Sequence, residues 1–359
     1  MAFLEFKNVR IAGMAAGVPK HVSSNLHPEL NDNVSSDYSP EDFIATTGVK
    51  ERRTSSTLCT SDLCYGAAER LIADLGWDKN DIEGIIFVSQ TPDYILPATA
   101  CILQDRLGLS KECYATDMSI GCSGWLYGLS SLAALVNSGG IKKALLMVGD
   151  AKGRVKGKMN PLFGSAGTVT ALEYSAEASS LLFHLGTDGS GFDAIITPDG
   201  GSRNQITEKS FEYYDYEGKR INRLHSRMKG MDVFSFGITT APKSIKKLSE
   251  HFGLDYQDAD YYVFHQANLK MNNFIVKKLK LDSSKVPNSL QLFGNTNGAS
   301  IPMTIVTQLK EQLREPRKLL CCGFGVGLSW GTVLFETDNN IIISDLVELE
   351  DSETSTYVV

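Results

Sequence analysis

The sequence predicts an α/β protein whose core is built twice. Short apolar, β-branched stretches alternate with segments of helical spacing, which implies strands that are mostly parallel and buried on both faces. Two pairs of segments also recur at nearly one offset. Asp81-Ile-Glu-Gly-Ile-Ile-Phe-Val-Ser-Gln90 resembles Asp258-Ala-Asp-Tyr-Tyr-Val-Phe-His-Gln266, and Lys142-Lys143-Ala-Leu-Leu146 resembles Arg317-Lys318-Leu-Leu320, 176 and 175 positions apart. Either an α/β unit is duplicated, or two buried strands preceded by polar residues simply look alike. Duplication sets the halves at 1–175 and 176–338, with a tail over 339–359.

In chain order, 61–75 has helical spacing, 85–88 reads as a buried strand and 98–107 as a second helix. An extended run over 114–120 leads into a helix at 123–137 and a strand at 144–149. The second half offers helices at 232–252, 268–279 and 300–314, with strands at 261–265, 319–324 and 332–335. Ser300 before Ile301-Pro302 fits an N-cap with proline in the first turn. Segment 186–230, rich in Gly, Asp, Asn and Tyr, is expected to be a long surface excursion of the kind that borders sites. The last 20 residues follow a completed strand and are expected to fray, or to dock on a partner.

Composition narrows the function. With 359 residues, 42% hydrophobic and 21% charged, the chain has ample core for two domains and is neither disordered nor fibrous. Its apolar runs, such as 145–148, fall far short of the ~20 residues a membrane span needs. The opening MAFLEFKNVR has no apolar h-region, so a cytoplasmic protein without a secretory signal is expected. Of the net charge of −7, five units lie in the tail as Asp345, Glu348, Glu350, Asp351 and Glu353, with no Lys or Arg among them. No broad basic face is written, so nucleic acid is not an expected partner. Seven scattered cysteines with no C-x-x-C pair argue against a disulfide framework and against a zinc site.

Cys122 stands apart from the other six. In Asp117-Met-Ser-Ile-Gly-Cys122-Ser-Gly-Trp-Leu-Tyr-Gly-Leu an extended segment runs through small residues into a helix with Leu126, Leu129 and Leu132 on one face. Unpaired N–H groups at a helix N-terminus favour a thiolate, and Gly121, Ser123 and Gly124 let a substrate approach the sulfur. A nucleophile and a buried structural cysteine both remain open readings. His265 ends an apolar strand, where catalytic groups of α/β sheets gather, although many such histidines are structural. Asn295, in Leu292-Phe-Gly-Asn295-Thr-Asn-Gly-Ala-Ser300, sits among glycines, which turn formation alone would also explain.

Taken with Thr46-Thr-Gly-Val-Lys-Glu-Arg-Arg53, Phe163-Gly164, the stretch from Met228 to Phe234, and Gly323-Phe-Gly-Val-Gly-Leu-Ser-Trp-Gly331, these segments resemble the ketoacyl-acyl-carrier-protein synthase III family of the thiolase superfamily. The resemblance runs from about residue 8 to about residue 336. It implies a thiolase fold, a duplicated five-layered α-β-α-β-α core, and a beta-ketoacyl synthase activity without a tightly bound cofactor. Cys122 is then the acyl-accepting nucleophile, and His265 and Asn295 the pair that stabilises the enolate of a decarboxylating malonyl thioester. Backbone N–H groups of Cys122 and Val326 would form the oxyanion hole. Further substrate contacts are implied at Phe43, Tyr94, Leu96, Phe234, Asn268 and Phe324. A homodimer is implied too, with 91–97 crossing to the partner's pocket. A thiolase would need a cysteine in the glycine-rich turn, and the elongating synthases a second histidine where Asn295 stands.

Departures bear on the acyl donor. Phe43 stands where the family commonly has a tryptophan against coenzyme A; the following loop is one residue short and lacks its usual arginine. The segment between Asp150 and Leu162 is also shortened, and Gly164-Ser165-Ala-Gly167 replaces Gly-Asp-Gly-Ala. An acyl carrier protein, or an unusual acyl-coenzyme A, is therefore the expected donor. Lys152, Arg154, Lys156 and Lys158 read either as a solvated loop or as a docking patch for an acidic carrier. Two other functions stay open: transfer of the acyl group to an alcohol or amine, and a non-catalytic partner subunit. Asn295 favours condensation, since plain transfer has no enolate to stabilise.

Overall fold

The computed structural model describes residues 2–26, 39–151 and 160–351. Two sheets carry the fold. The first runs, in spatial order, Val9–Pro19, Ala166–Tyr174, Lys143–Asp150, Gly84–Val88, Tyr114–Met118. The second runs Ala2–Phe6, Leu181–Thr187, Ser329–Glu336, Lys318–Gly325, Tyr261–Phe264. From Val9–Pro19 and from Leu181–Thr187 onward, the two sheets place their strands in the same order of chain succession: first, last, last but one, then the early parallel strand. The recurring segments found in the sequence are the strand pairs Gly84–Val88 with Tyr261–Phe264 and Lys143–Asp150 with Lys318–Gly325.

The strands are less parallel than the alternation predicts. Gly84–Val88 is parallel to both its neighbours, and Tyr261–Phe264 to Lys318–Gly325. The main strands that complete each sheet pair antiparallel. Gly325 and Ser329 are joined through three residues, too few for the dozen or so that a parallel crossover needs.

Helices fill three layers around these sheets. Gly124–Asn137 and Ser300–Gln308 lie between them, burying Leu126, Leu129, Leu132, Ile301, Met303 and Ile305 against Leu146, Val148, Leu172, Phe183 and Val333. Thr60–Leu75 and Thr99–Arg106 cover the outer face of the first sheet, and Gly230–Phe252 and Leu269–Leu279 that of the second. The apolar runs follow from this sandwich. Along Lys143–Asp150, Leu145 and Met147 face the outer helices while Leu146 and Val148 face the central ones, so polar residues are left to the two ends of the strand. Cys321 and Cys322 are buried in the same way; burial raises both thiols, Cys322 to about 12. They are core residues.

Three expectations need correction. The helix expected over 300–314 ends at Gln308 and is followed by a separate turn at Gln312–Arg314. Ser300 is not its cap: it already has helical angles, and Ala299 precedes it from a short 3-10 turn at Asn297–Ala299. The tail does not fray over its first part. Ile342–Ile343 and Val347–Leu349 add to the first sheet beside Val9–Pro19, with Ile341, Ile343 and Leu349 buried. Its acidic residues face cations of the body: Glu348 pairs with Arg53, Glu350 with Lys20, and Asp345 with Arg70 and Lys310. At the other end of the chain, Ala2–Phe6 pairs with Leu181–Thr187, so both chain ends cross the division at residue 175. Segment 188–229 is the expected excursion, holding short turns and two small strand pairs. Among the described residues no helix is long and apolar enough to cross a membrane.

Leu349 packs its side chain onto Gly17 and Gly66. Leu349→Ala should therefore cost about 2–5 kcal/mol of unfolding free energy, as for other buried leucines. Chemical denaturation would measure this; an unchanged midpoint would mean that the tail is dispensable.

Candidate active site

The site lies where the two central helices begin. Gly124–Asn137 and Ser300–Gln308 both start without a side-chain cap on their own N-cap residues; a turn leads into each, in which Gly124 N–H donates to Gly121 and Ser300 N–H to Asn297, and both helix dipoles point their positive ends at what lies in front of them. The turns before them touch: a Cβ on Gly298 would stand 2.9 Å from the carbonyl oxygen of Gly121. Cys122 occupies the first turn, 9% exposed. Its sulfur lies against the second sheet, where a Cβ on Gly325 would stand 2.6 Å from both Cβ and Sγ of Cys122. Glycine at 325 is therefore what makes room for the thiol. A Ser123–Ser329 hydroxyl pair at 2.7 Å, with Ser329 Oγ donating to the carbonyl of Val326 at 2.8 Å, ties the glycine-rich turn to the cysteine turn.

His265 follows the strand Tyr261–Phe264, and its backbone N–H donates to Cys322 at 2.9 Å. The imidazole is buried, edge-on to Phe324 with centroids 5.9 Å apart, and its Nδ1 is 2.7 Å from Ser300 Oγ. Burial pushes its pKa down to about 4, against a smaller opposing effect of a backbone hydrogen bond with Asn297. The ring is neutral at physiological pH.

Asn295 is held from both sides. Its N–H donates to Leu162 at 2.9 Å and its C=O accepts from Gly164 at 3.1 Å. Its Oδ1 accepts from the N–H of Asn297 at 2.9 Å, the local turn expected of asparagine, and Asn297 itself is left-handed at φ 52°. With Oδ1 taken, the amide Nδ2 is the donor presented. It makes a long contact of 3.4 Å to the carbonyl of Ala267, two residues beyond His265. Turn formation and presentation of a donor are thus one arrangement.

The remaining expected residues divide. Phe324 and Val326 lie on and after the strand that meets Cys122. Phe234 packs edge-on to Phe274, one helical turn before Gly237, whose Cβ position adjoins Phe324 and Met271. Asn268 caps Leu269–Leu279, accepting from Met271 N–H at 2.8 Å, so its oxygen is engaged in the helix. Phe43 is half-buried on Pro40–Thr47, whose terminal Gly48 packs on Leu269. Tyr94 is half-buried, whereas Ile95 and Leu96 stand 97% and 79% exposed. Lys152, Arg154, Lys156 and Lys158 lie outside the described residues. Among the described residues no cluster of three His, Cys, Asp or Glu side chains could hold a metal ion. Sequence reasoning missed Ser300, which had been expected to cap its helix, and Gly325, whose need for closeness to sulfur has no local signal.

Comparison with known proteins agrees along the chain. The model of the 3-Oxoacyl-[acyl-carrier-protein (ACP)] synthase III family matches residues 116–189, and that of its C-terminal part matches 249–337. The crystal structure of a 3-oxoacyl-(acyl-carrier protein) synthase from Burkholderia xenovorans superposes with a TM-score of 0.86 at 35% identity, covering 97% of this chain and 99% of its own. A putative 3-oxoacyl-[acyl-carrier-protein] synthase 3 from Campylobacter jejuni is 31% identical over 341 residues, covering 92% of this chain and 94% of its own. A beta-ketoacyl-[acyl-carrier-protein] synthase III from Clostridium acetobutylicum is 32% identical, covering 92% and 98%. Likeness of this degree over nine-tenths of the length leaves one conclusion: the chain belongs to the 3-oxoacyl-[acyl-carrier-protein] synthase III family of condensing enzymes.

Proposed function

We propose that the chain joins an acyl thioester to a malonyl thioester by decarboxylative Claisen condensation, in fatty-acid or related acyl-chain synthesis. The observation that carries this reading is the gathering of Cys122, a neutral His265 and a donor-presenting Asn295 around the turns that open the two central helices. Cys122 sulfur attacks the acyl carbonyl, the carbon–sulfur bond to the donor breaks, and the donor thiol leaves with the cysteine proton. In the malonyl thioester the bond to the carboxylate then breaks, CO2 departs, and the electron pair moves onto the thioester oxygen. His265 and Asn295 donate to that oxygen. The enolate carbon attacks the acyl-cysteine, the oxyanion rests on the N–H groups of Cys122 and Val326, and collapse returns the Cys122 thiolate. The product is a 3-oxoacyl thioester.

The donor is a carrier-borne acyl group or an unusual coenzyme A thioester, since Phe43 and its shortened loop depart from the family's coenzyme A cradle. The alternating cations at 152–158 suit an acidic carrier. The working unit is a homodimer, in which the exposed Ile95 and Leu96 insert into the partner.

Intact-protein mass after incubation with acyl-coenzyme A and acyl-carrier-protein panels should show an acyl increment that Cys122→Ala abolishes. Efficient labelling by acetyl-coenzyme A would count against a carrier-borne donor. Because burial keeps His265 neutral above about pH 5, malonyl decarboxylation should stay level from there to about pH 8; a midpoint near 6.5, the free imidazole value, would contradict a buried neutral ring. Ile95→Lys with Leu96→Lys should shift sedimentation from dimer to monomer, and an unshifted dimer would move the interface elsewhere.

A further inference from the structure

We propose that Ser300 is a positioning residue, whose hydroxyl donates to Nδ1 of His265 and so keeps the ring's single proton on Nε2, facing the site. This rests on His265 acting as an enolate-stabilising donor, as set out above. The geometry begins with the backbone. Ser300 was expected to cap its own helix, but it sits inside the first turn at φ −61° and ψ −37°. Its Oγ is thereby freed from the helix end and lies 2.7 Å from His265 Nδ1. Ser300, His265 and Gln266 are all buried.

The direction of the bond follows from what each neighbour can do. The backbone N–H of Gln266, 3.3 Å from Ser300 Oγ, can only donate, so it occupies an oxygen lone pair. Among the described residues Nδ1 is the one acceptor within hydrogen-bond distance of Ser300 Oγ, so the hydroxyl proton goes to Nδ1. A neutral imidazole carries one proton, and an accepting Nδ1 requires that it sit on Nε2. The opposite tautomer would put a ring proton on Nδ1 and leave Nε2 with a lone pair toward the thioester oxygen, a repulsive contact during enolate formation. The hydroxyl thus favours the tautomer in which Nε2 is the donor. The anchor is rigid: Thr304 Oγ1 donates to the carbonyl of Ser300 at 2.8 Å, and Thr304 in turn meets Ser289 at 2.8 Å.

Two measurements test this. In the wild-type protein with 15N-labelled histidine, the His265 resonances, assigned by their loss in His265→Gln, should show an unprotonated Nδ1 and a protonated Nε2. A proton on Nδ1 would overturn the proposal, whether or not any variant folds. In the second, Ser300→Ala should lower kcat for malonyl thioester decarboxylation at least tenfold, and by no more than the ~100- to 1,000-fold that complete loss of an oxyanion donor costs, with little change in KM. Ser300→Thr, which keeps the hydroxyl, should recover most of it. An undiminished kcat in Ser300→Ala sinks the proposal, as does a Ser300→Thr variant no better than Ser300→Ala. His265→Ala separates this from the underlying reading: if that variant still decarboxylates, the enolate role itself fails, whatever Ser300 does.

Discussion

Two helices buried between two sheets must begin somewhere, and here both begin at the same place, each out of a short turn and neither capped by the side chain of its own N-cap residue. That constraint organises the rest. Ser39 caps Pro40–Thr47 and Asn268 caps Leu269–Leu279 with their side chains, whereas neither central helix is capped by its own N-cap residue, and the partial positive charge of both ends is directed at one small volume. Such a volume favours whatever becomes negative within it, which in the proposed reaction is first a thiolate and then an enolate oxygen. The close touch of Gly121 and Gly298 brings the cysteine turn and the asparagine turn together at one place.

The duplicated architecture is used unequally. Before Gln90 the first half has Ser89, and before Gln266 the second half has His265. In the first half Ser89, Gln90 and Thr91 all donate to the Asp150 carboxylate, at 2.9–3.2 Å, at the end of its strand. The strand Lys318–Gly325 ends instead in glycine, and the space that a side chain would take holds the sulfur of Cys122. One half fills its strand ends with a polar network, and the other leaves them open to the Cys122 thiol, although the two sheets are ordered alike.

The turn that carries Asn295 is also held from further away in the chain. Arg53, whose neighbour Arg52 is packed beside Gly164 and Gly294, pairs with Glu348 of the tail. Gly164 in turn donates to Asn295. The acidic tail therefore belongs to the first sheet's edge, and its charge is matched by Lys20, Arg53, Arg70 and Lys310 of the body.

By itself the sequence determined the periodic parts: the central strands and helices, the doubling at 175–176 residues, and the three turns that carry Cys122, His265 and Asn295. Each has a local cause, since burial on both faces writes an apolar run, helical packing writes a 3.6-residue spacing, and a glycine-flanked turn tolerates few other residues. Tertiary structure alone decided the rest. Ser300 was indistinguishable from a cap until His265 stood 2.7 Å from it, and Gly325 was one glycine among several until Cys122 filled its missing side chain. The tail looked like solvent-facing acid because Ile343 and Leu349 are sparse, and only the sheet edge they cover makes them core. In each case the deciding neighbour is distant in the chain, and neither periodicity nor turn chemistry carries information across that distance.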